Sequence, residues 1–225
     1  MTRNPATVDP ASGRPRVWQR MLSGRRLDLL NPSPLDIEID DIAQGLSRLA
    51  RWNGQTWGEW PFSVAQHAVL VEHVAGTMRA STPKRWRLAI LMHDAPEYVL
   101  GDLISPFKAA VNEDYKELED RLYTAVLLRF GLPGELPRWV RNLTKRADRA
   151  AAYLEGTRLA GFEAEEAKQL FGRPRDLKRL AAGAELDPWH PKEAKRRFLK
   201  RFAELAPPMH HPTRDPAGET PEPVA

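Results

Sequence analysis

The sequence contains no cysteine among its 225 residues. Disulfides, zinc–thiolate sites and a cysteine nucleophile are therefore excluded, and any bound metal must be held by His, Asp or Glu. Long apolar runs are also missing, because no stretch reaches the roughly 18 uncharged apolar residues that a transmembrane helix needs. The N-terminus lacks the apolar region of a signal peptide. We therefore expect a cytoplasmic protein with no membrane partner.

A strong charge of one sign is missing as well. The chain has 34 basic and 30 acidic residues, for a net charge of +4. No basic run with interleaved aromatic residues occurs, so we expect no nucleic-acid polymer as a partner. The slight basic excess is compatible with a small ligand that carries phosphate.

The distribution of apolar residues predicts a single helical domain between two polar ends. Apolar residues make up 42% of the chain, enough for one core. The composition predicts a disordered segment over residues 1–20, a domain over 21–206 and a disordered Pro-rich tail over 207–225. Residues 25–40, "RRLDLLNPSPLDIEID", predict a short hairpin around the Asn-Pro-Ser-Pro turn.

Helical periodicity then predicts an all-α fold of about seven helices. They are expected over residues 39–52, 64–78, 83 onward, 105–130, 136–161, 164–172 and 191–206. Ser63 is expected to cap the second of them, and Thr82-Pro83 to begin the third.

Four ligand-type residues interrupt apolar or alanine-rich segments in three of these helices. They are His67 in "SVAQHAVLV", His93 and Asp94 in "LAILMHDA", and Asp148 in "KRADRAAAYL". Buried carboxylates normally require a partner charge or a metal. Two imidazoles with two carboxylates suit one divalent ion of Mn, Co, Fe or Zn. Taken alone, His67 could equally be a hydrogen-bonded core histidine.

The remaining histidines are not expected to be ligands. His73 follows His67 by six residues, which is about 120° around a helix, so the two cannot face one ion. His190 precedes a predicted helix, and His210 and His211 lie in the Pro-rich tail.

The order His, His-Asp, Asp, with gaps of 26 and 54 residues, resembles that of the HD-domain metal-dependent phosphohydrolases, and within them the bacterial 5′-deoxynucleotidase branch. The resemblance covers about residues 21–180. The segments that carry it are "RW" at 51–52, "SVAQH" at 63–67, "HDAPE" at 93–97, "GDLISPFK" at 101–108 and "KRADRAAAYLE" at 145–155. The long segment before residue 43 and the Pro/His tail depart from the compact form of that branch and leave substrate choice open.

The resemblance implies that His67, His93, Asp94 and Asp148 bind one divalent metal. It gives Glu97 and Asp102 catalytic roles, in which one orients or deprotonates the attacking water and the other protonates the leaving oxygen. Simpler interpretations are a solvated helix-end charge for Glu97 and a turn residue for Asp102.

The resemblance also implies a set of substrate contacts. Arg51 would bind phosphate as a fork, and Trp52 would stack on sugar or base. Lys108 and Lys145 could meet phosphate charge. The alternatives are a core position for Trp52 and solvated positions for both lysines.

The resemblance therefore implies a hydrolase that removes phosphate from deoxynucleoside 5′-monophosphates. One alternative is a deoxynucleoside triphosphate triphosphohydrolase, for which Lys108, Lys145, Arg146 and Arg149 could supply extra positive charge. Another is a non-catalytic nucleotide-binding HD module, which would not need Glu97 and Asp102. The resemblance also implies a homodimer.

Overall fold

The structure, a computed structural model, describes residues 17–103 and 113–207. The strands β1 (Trp18–Arg20) and β2 (Arg26–Asp28) form an antiparallel hairpin. The α-helices of the described residues are α1 (Ile39–Leu46), α2 (Val64–Met78), α3 (Lys84–Leu91), α4 (Glu97–Leu100), α5 (Glu113–Arg129), α6 (Arg138–Arg158), α7 (Ala164–Phe171), α8 (Leu177–Ala181) and α9 (Pro191–Leu205). The all-α prediction is confirmed. Within the described residues, no helix is long and apolar enough to cross a membrane.

Helix α2 lies at the centre of the fold and packs against α3, α6 and α9. Ten of its fifteen residues are buried. The Ser63 hydroxyl caps its first turn by accepting the Gln66 backbone N–H at 3.2 Å, as the sequence predicted. Because this helix is enclosed on most sides, a polar side chain on it needs a partner inside the protein.

Helix α3 ends before the His-Asp pair instead of running through it. The turn that follows is held by short-range backbone bonds, from His93 N–H to the Ile90 carbonyl at 3.2 Å and from Ala95 N–H to the Met92 carbonyl at 3.0 Å. Pro96, which cannot donate to a continuing helix, then precedes α4. The prediction that His93 and Asp94 interrupt a helix from within is therefore wrong. They lie in a break between two helices.

The N-terminal hairpin exists but lies earlier in the chain than predicted. Its strands pair Trp18 with Asp28, so β1 occupies the end of the segment predicted to be disordered. Asp28 ends β2 by accepting the backbone N–H groups of Leu30 and Asn31. The Asn-Pro-Ser-Pro sequence then leads into a 3-10 turn at Pro34–Asp36, capped by Ser33.

Helix α1 is shorter than predicted and ends at Leu46. A 3-10 turn at Arg51–Gly54 follows, in which Trp52 and Asn53 have φ of 57° and 50°. The left-handed backbone of the Asn53-Gly54 turn thus begins at Trp52, where such a conformation costs energy. The short helices α4 and α8 are additions to the predicted set. The first eight residues of the fourth predicted helix, 105–112, lie outside the described residues.

Candidate metal centre

His67 lies at the middle of the protein, on the first turns of α2, with a fully buried side chain. Its Nδ1 lies 2.6 Å from Glu155 Oε1 on α6. Because the carboxylate only accepts, Nδ1 donates the proton in this contact. In a neutral imidazole the lone pair is then on Nε2, the nitrogen that points away from Glu155.

His93 is held in the same way by a different acceptor. Its Nδ1 donates to the backbone carbonyl of Ile90 at 2.9 Å. The rings of His67 and His93 lie 5.3 Å apart between centroids. Both Nε2 atoms are buried, and neither has a hydrogen-bond partner within the described residues. In their neutral forms the two histidines can therefore present metal-type lone pairs to one small region.

Carboxylate oxygens face these nitrogens. Asp94 Oδ2 lies 3.2 Å from His93 Nε2 and 3.4 Å from His67 Nε2, and Asp148 Oδ1 lies 3.2 Å from His67 Nε2. One ligand atom each from His67, His93 and Asp148 lies within 4.8 Å of the others. These three residues could hold a metal ion, and Asp94 contacts the same two imidazole nitrogens.

The charges explain why a proton or a cation is favoured there. Lone pairs of neutral imidazoles and of carboxylates repel one another unless a proton or a metal ion lies between them. In the metal-free protein, burial and Arg51 lower the pKa of His67, but Glu155, Asp148 and Asp94 outweigh them and hold it well above its ordinary value. Burial raises the pKa of Asp94, and the two histidines more than reverse this effect.

Glu155 is the main residue of the centre that the sequence did not single out. It is fully buried and accepts three side-chain donors: His67 Nδ1 at 2.6 Å, Trp52 Nε1 at 2.9 Å and Arg51 Nε at 3.1 Å. The only sequence signal is its position seven residues after Asp148, two turns along one face of α6. Glu155 fixes the tautomer of a candidate ligand and anchors the 3-10 turn at Arg51.

Acid is expected to remove the stabilisation that Glu155 provides. Burial opposes its ionisation, but His67 and Arg51 hold the pKa of Glu155 at about 2, below its ordinary 4.5. Glu155 therefore stabilises the folded protein fully above about pH 4.5, and this stabilisation is lost as the pH falls towards about 2. Urea unfolding in EDTA should show wild type and Glu155→Gln differing most near neutral pH and converging below about pH 3. A difference that stays constant with pH would contradict this role.

Arg51 and Trp52 lie beside the centre, but their contacts are to protein carboxylates and rings. Arg51 Nη1 lies 3.8 Å from both Asp94 Oδ2 and Asp102 Oδ2. Trp52 packs on Phe162 and Phe171 at centroid distances of 5.5 and 5.7 Å. The packing of Trp52 agrees with the alternative prediction that it is a core residue. The substrate roles of Arg51 and Trp52 stay predictions.

The two predicted catalytic carboxylates, Glu97 and Asp102, follow the helix break that contains His93 and Asp94. Glu97 is buried and begins α4. Asp102 follows the turn at Gly101 and reaches the centre through Arg51, which lies between it and Asp94. Their catalytic roles stay predictions.

A cleft of about 520 Å³ opens beside the candidate ligands. His93 and Asp148 line it together with Tyr123, Arg141 and Lys145. Lys145 therefore lines the same cleft as two candidate ligands, and its contact with phosphate stays a prediction. Lys108 lies outside the described residues.

The other histidines do not join the centre. His73 contacts the Ala182 carbonyl at 3.0 Å, and His190 caps α9 by accepting the Lys192 N–H. Both observations agree with the predicted non-ligand positions. His210 and His211 lie outside the described residues.

These features define a helical protein with a candidate metal centre of two histidines and acidic residues. The chain belongs to the same family as an uncharacterized protein of Rhodobacter capsulatus, which is 57% identical over 159 residues, or 71% of this chain and 81% of the relative. It is also similar to the uncharacterized Escherichia coli protein YfdR, at 36% identity over 98 residues, or 44% of this chain and 49% of YfdR. No protein-family model matches the chain.

Proposed function

We propose that the protein is a metal-dependent phosphohydrolase of the HD-domain class that removes phosphate from deoxynucleoside 5′-monophosphates. The observation that carries the proposal is the pair of buried Nε2 atoms of His67 and His93, which have no hydrogen-bond partner within the described residues and face acidic oxygens. This donor set suits a divalent ion of Mn, Co, Fe or Zn.

His67, His93, Asp94 and Asp148 would hold the ion. Glu155 and the Ile90 carbonyl orient the two imidazoles, as residues behind metal ligands commonly do. When bound, a divalent ion polarises a phosphoryl oxygen and lowers the pKa of coordinated water towards about 7.

The cleft offers one lysine to a small phosphate group, beside Arg141 and the carboxylates of Asp120, Glu135 and Asp148. Lys145 lies three residues before Asp148 and lines the same cleft, so it can meet a phosphate oxygen next to the candidate ligands. Arg141 also lines the cleft but is paired with Glu135 at 3.0 Å. Arg146 and Arg149, which could supply extra positive charge for a triphosphate, line a different pocket. These positions support a monophosphate substrate over a triphosphate.

Glu97 and Asp102 would handle the two protons of the reaction. One accepts the proton of the attacking water, and the other protonates the leaving oxygen of the sugar. Arg51 links Asp102 to Asp94, which ties the position of Asp102 to that of the candidate ligands.

Glu97→Gln is expected to keep the metal and lose turnover. The substitution preserves the size of a buried side chain while removing its ability to exchange a proton, which should lower kcat by about 100-fold or more. Metal content and phosphate release should be measured on the same sample. Glu38→Gln, which removes a charge paired with Arg25 and Arg129, is the control. Near-normal kcat for Glu97→Gln would remove this residue from the chemistry.

The experiment that tests the function is a paired substrate assay. The purified protein, loaded with Mn²⁺, is incubated with dAMP and with dATP, and released phosphate and triphosphate are quantified. The proposal predicts phosphate from dAMP, with loss of activity on chelation. Triphosphate from dATP would favour the triphosphohydrolase. Nucleotide binding without hydrolysis across a panel of phosphate esters would favour a non-catalytic module.

A further inference from the structure

A second pocket, here called the arginine pocket, lies between α6, the end of α2 and the chain around α8. Its volume is about 550 Å³. Five arginines line it: Arg146, Arg149, Arg173, Arg175 and Arg179. Asp176 is the acidic residue among its lining residues. The cleft beside the metal centre shares no lining residue with it, so the two are separate.

The five arginines of this pocket outnumber the one carboxylate that lines it, Asp176. Within the part of the chain that the structure describes, none of the five forms an ion pair with a carboxylate. Arginines elsewhere on the surface do so, such as Arg141 with Glu135 at 3.0 Å and Arg196 with Glu193 at 2.6 Å. Like charges gathered around one concave surface repel each other and concentrate a positive field there. An anion in the pocket would relieve that repulsion.

One arginine is held in place by the backbone. Arg179 Nη2 donates to the carbonyl of Thr77 at 2.8 Å, at the end of α2. Arg146 and Arg149 lie three residues apart on α6 and therefore share one side of that helix. The charges thus come from two separate parts of the chain, α6 and residues 173–179, which the fold brings together.

Part of the lining of the pocket is apolar. Met78, Ala150, Phe171 and Leu180 contribute to its lining. The Phe171 ring is fixed by edge contacts with Trp52 at 5.7 Å and with Phe162 at 5.8 Å. An aromatic ring beside guanidinium groups is suited to a ligand that has both a flat ring and phosphates.

We propose that the arginine pocket binds a nucleoside di- or triphosphate, with its phosphates on the arginines and its base against the apolar part of the lining. A volume of about 550 Å³ lies within the range of small-molecule sites. Arginine forks bind phosphate oxygens in pairs. The charges surround a cavity instead of following an extended stripe, which favours a small ligand over a nucleic-acid strand. This site is additional to the proposed hydrolytic centre and does not require hydrolysis.

Calorimetric titration of the full chain in EDTA tests the proposal, because chelation prevents phosphate binding through the metal centre. The probes are dATP, dAMP, inorganic tripolyphosphate and a single-stranded 12-mer of DNA. We expect dATP to bind more tightly than dAMP or tripolyphosphate, because only dATP combines a polyphosphate with a base. Arg173→Glu/Arg175→Glu should weaken dATP binding by about tenfold or more, since it reverses two of the five charges.

Arg138→Glu, an exposed position at the other end of α6, is the matched control and should bind dATP like wild type. Asp148→Ala should also keep dATP binding, which separates this pocket from the metal centre. Unchanged dATP affinity in the double variant, no dATP binding to the wild type, or tighter binding of the 12-mer than of dATP would each overturn the proposal. None of these results depends on whether the protein hydrolyses dAMP.

Discussion

Asp148→Ala is expected to abolish tight binding of the divalent metal and, with it, phosphate release. Replacing residues that merely orient metal ligands commonly costs 10–100-fold in metal affinity, so loss of a ligand should weaken binding by more than about 100-fold. The Asp148 side chain is 40% exposed, so its removal leaves no buried cavity. The loss of metal should therefore occur in a folded protein, which can be checked by thermal unfolding in EDTA.

Asp40→Ala is the matched control for this variant. Asp40 is also a helical aspartate, but it is 72% exposed and lies 3.6 Å from Lys195 on the surface. It should retain the metal content and phosphate release of wild type. Wild-type metal affinity in Asp148→Ala, measured by competition with a fluorescent chelator, would remove Asp148 from the ligand set.

Glu155→Ala is expected to have the largest effect on stability. It would leave the buried donors of His67, Arg51 and Trp52 without their shared acceptor. Removing one partner of a buried charged pair costs about 3–5 kcal/mol. The variant should also bind metal about 10–100-fold more weakly, because His67 loses the group that fixes its tautomer.

Urea unfolding in EDTA and metal titration measure the two effects separately. Glu165→Ala is the control, because Glu165 is an exposed glutamate paired with Lys168 on the surface, and it should change neither quantity. A Glu155→Ala protein as stable as wild type would contradict the role of Glu155 as the shared acceptor. Weaker metal binding can be tested without the loss of stability. Glu155→Gln should also bind metal more weakly than wild type, but it should be destabilised less than Glu155→Ala.

The helices and the candidate ligands could be predicted because their signals are local. His67 stands out among apolar neighbours, and Ser63 marks the start of its helix. The all-α prediction held for the same reason, since periodicity along a helix does not depend on distant contacts. The resemblance to HD-domain phosphohydrolases added the expectation that these ligands converge.

Glu155 could not be found in this way because its importance is entirely tertiary. In the sequence it is a glutamate near the end of a long helix, a position typical of a solvated charge. Its partners His67 and Arg51 are 88 and 104 residues away along the chain. The helix break after Leu91 was also not predicted. It matters because neighbouring side chains on a helix diverge by about 100°, and the break allows His93 and Asp94 to meet.

The arginine pocket could not be predicted from the sequence for a related reason. Its arginines are spread over residues 146–179 in a chain whose charges are nearly balanced overall. The number of basic residues there gives no sign of which ones remain unpaired after folding.

Anomalous diffraction from crystals grown with Mn²⁺ tests the central idea most directly. A single manganese peak within about 2.0–2.3 Å of His67 Nε2 and His93 Nε2, with Asp94 and Asp148 oxygens completing the ligand set, is the predicted result. Well-ordered crystals in which the two imidazoles bind no metal, or in which manganese is held by other residues, would contradict it.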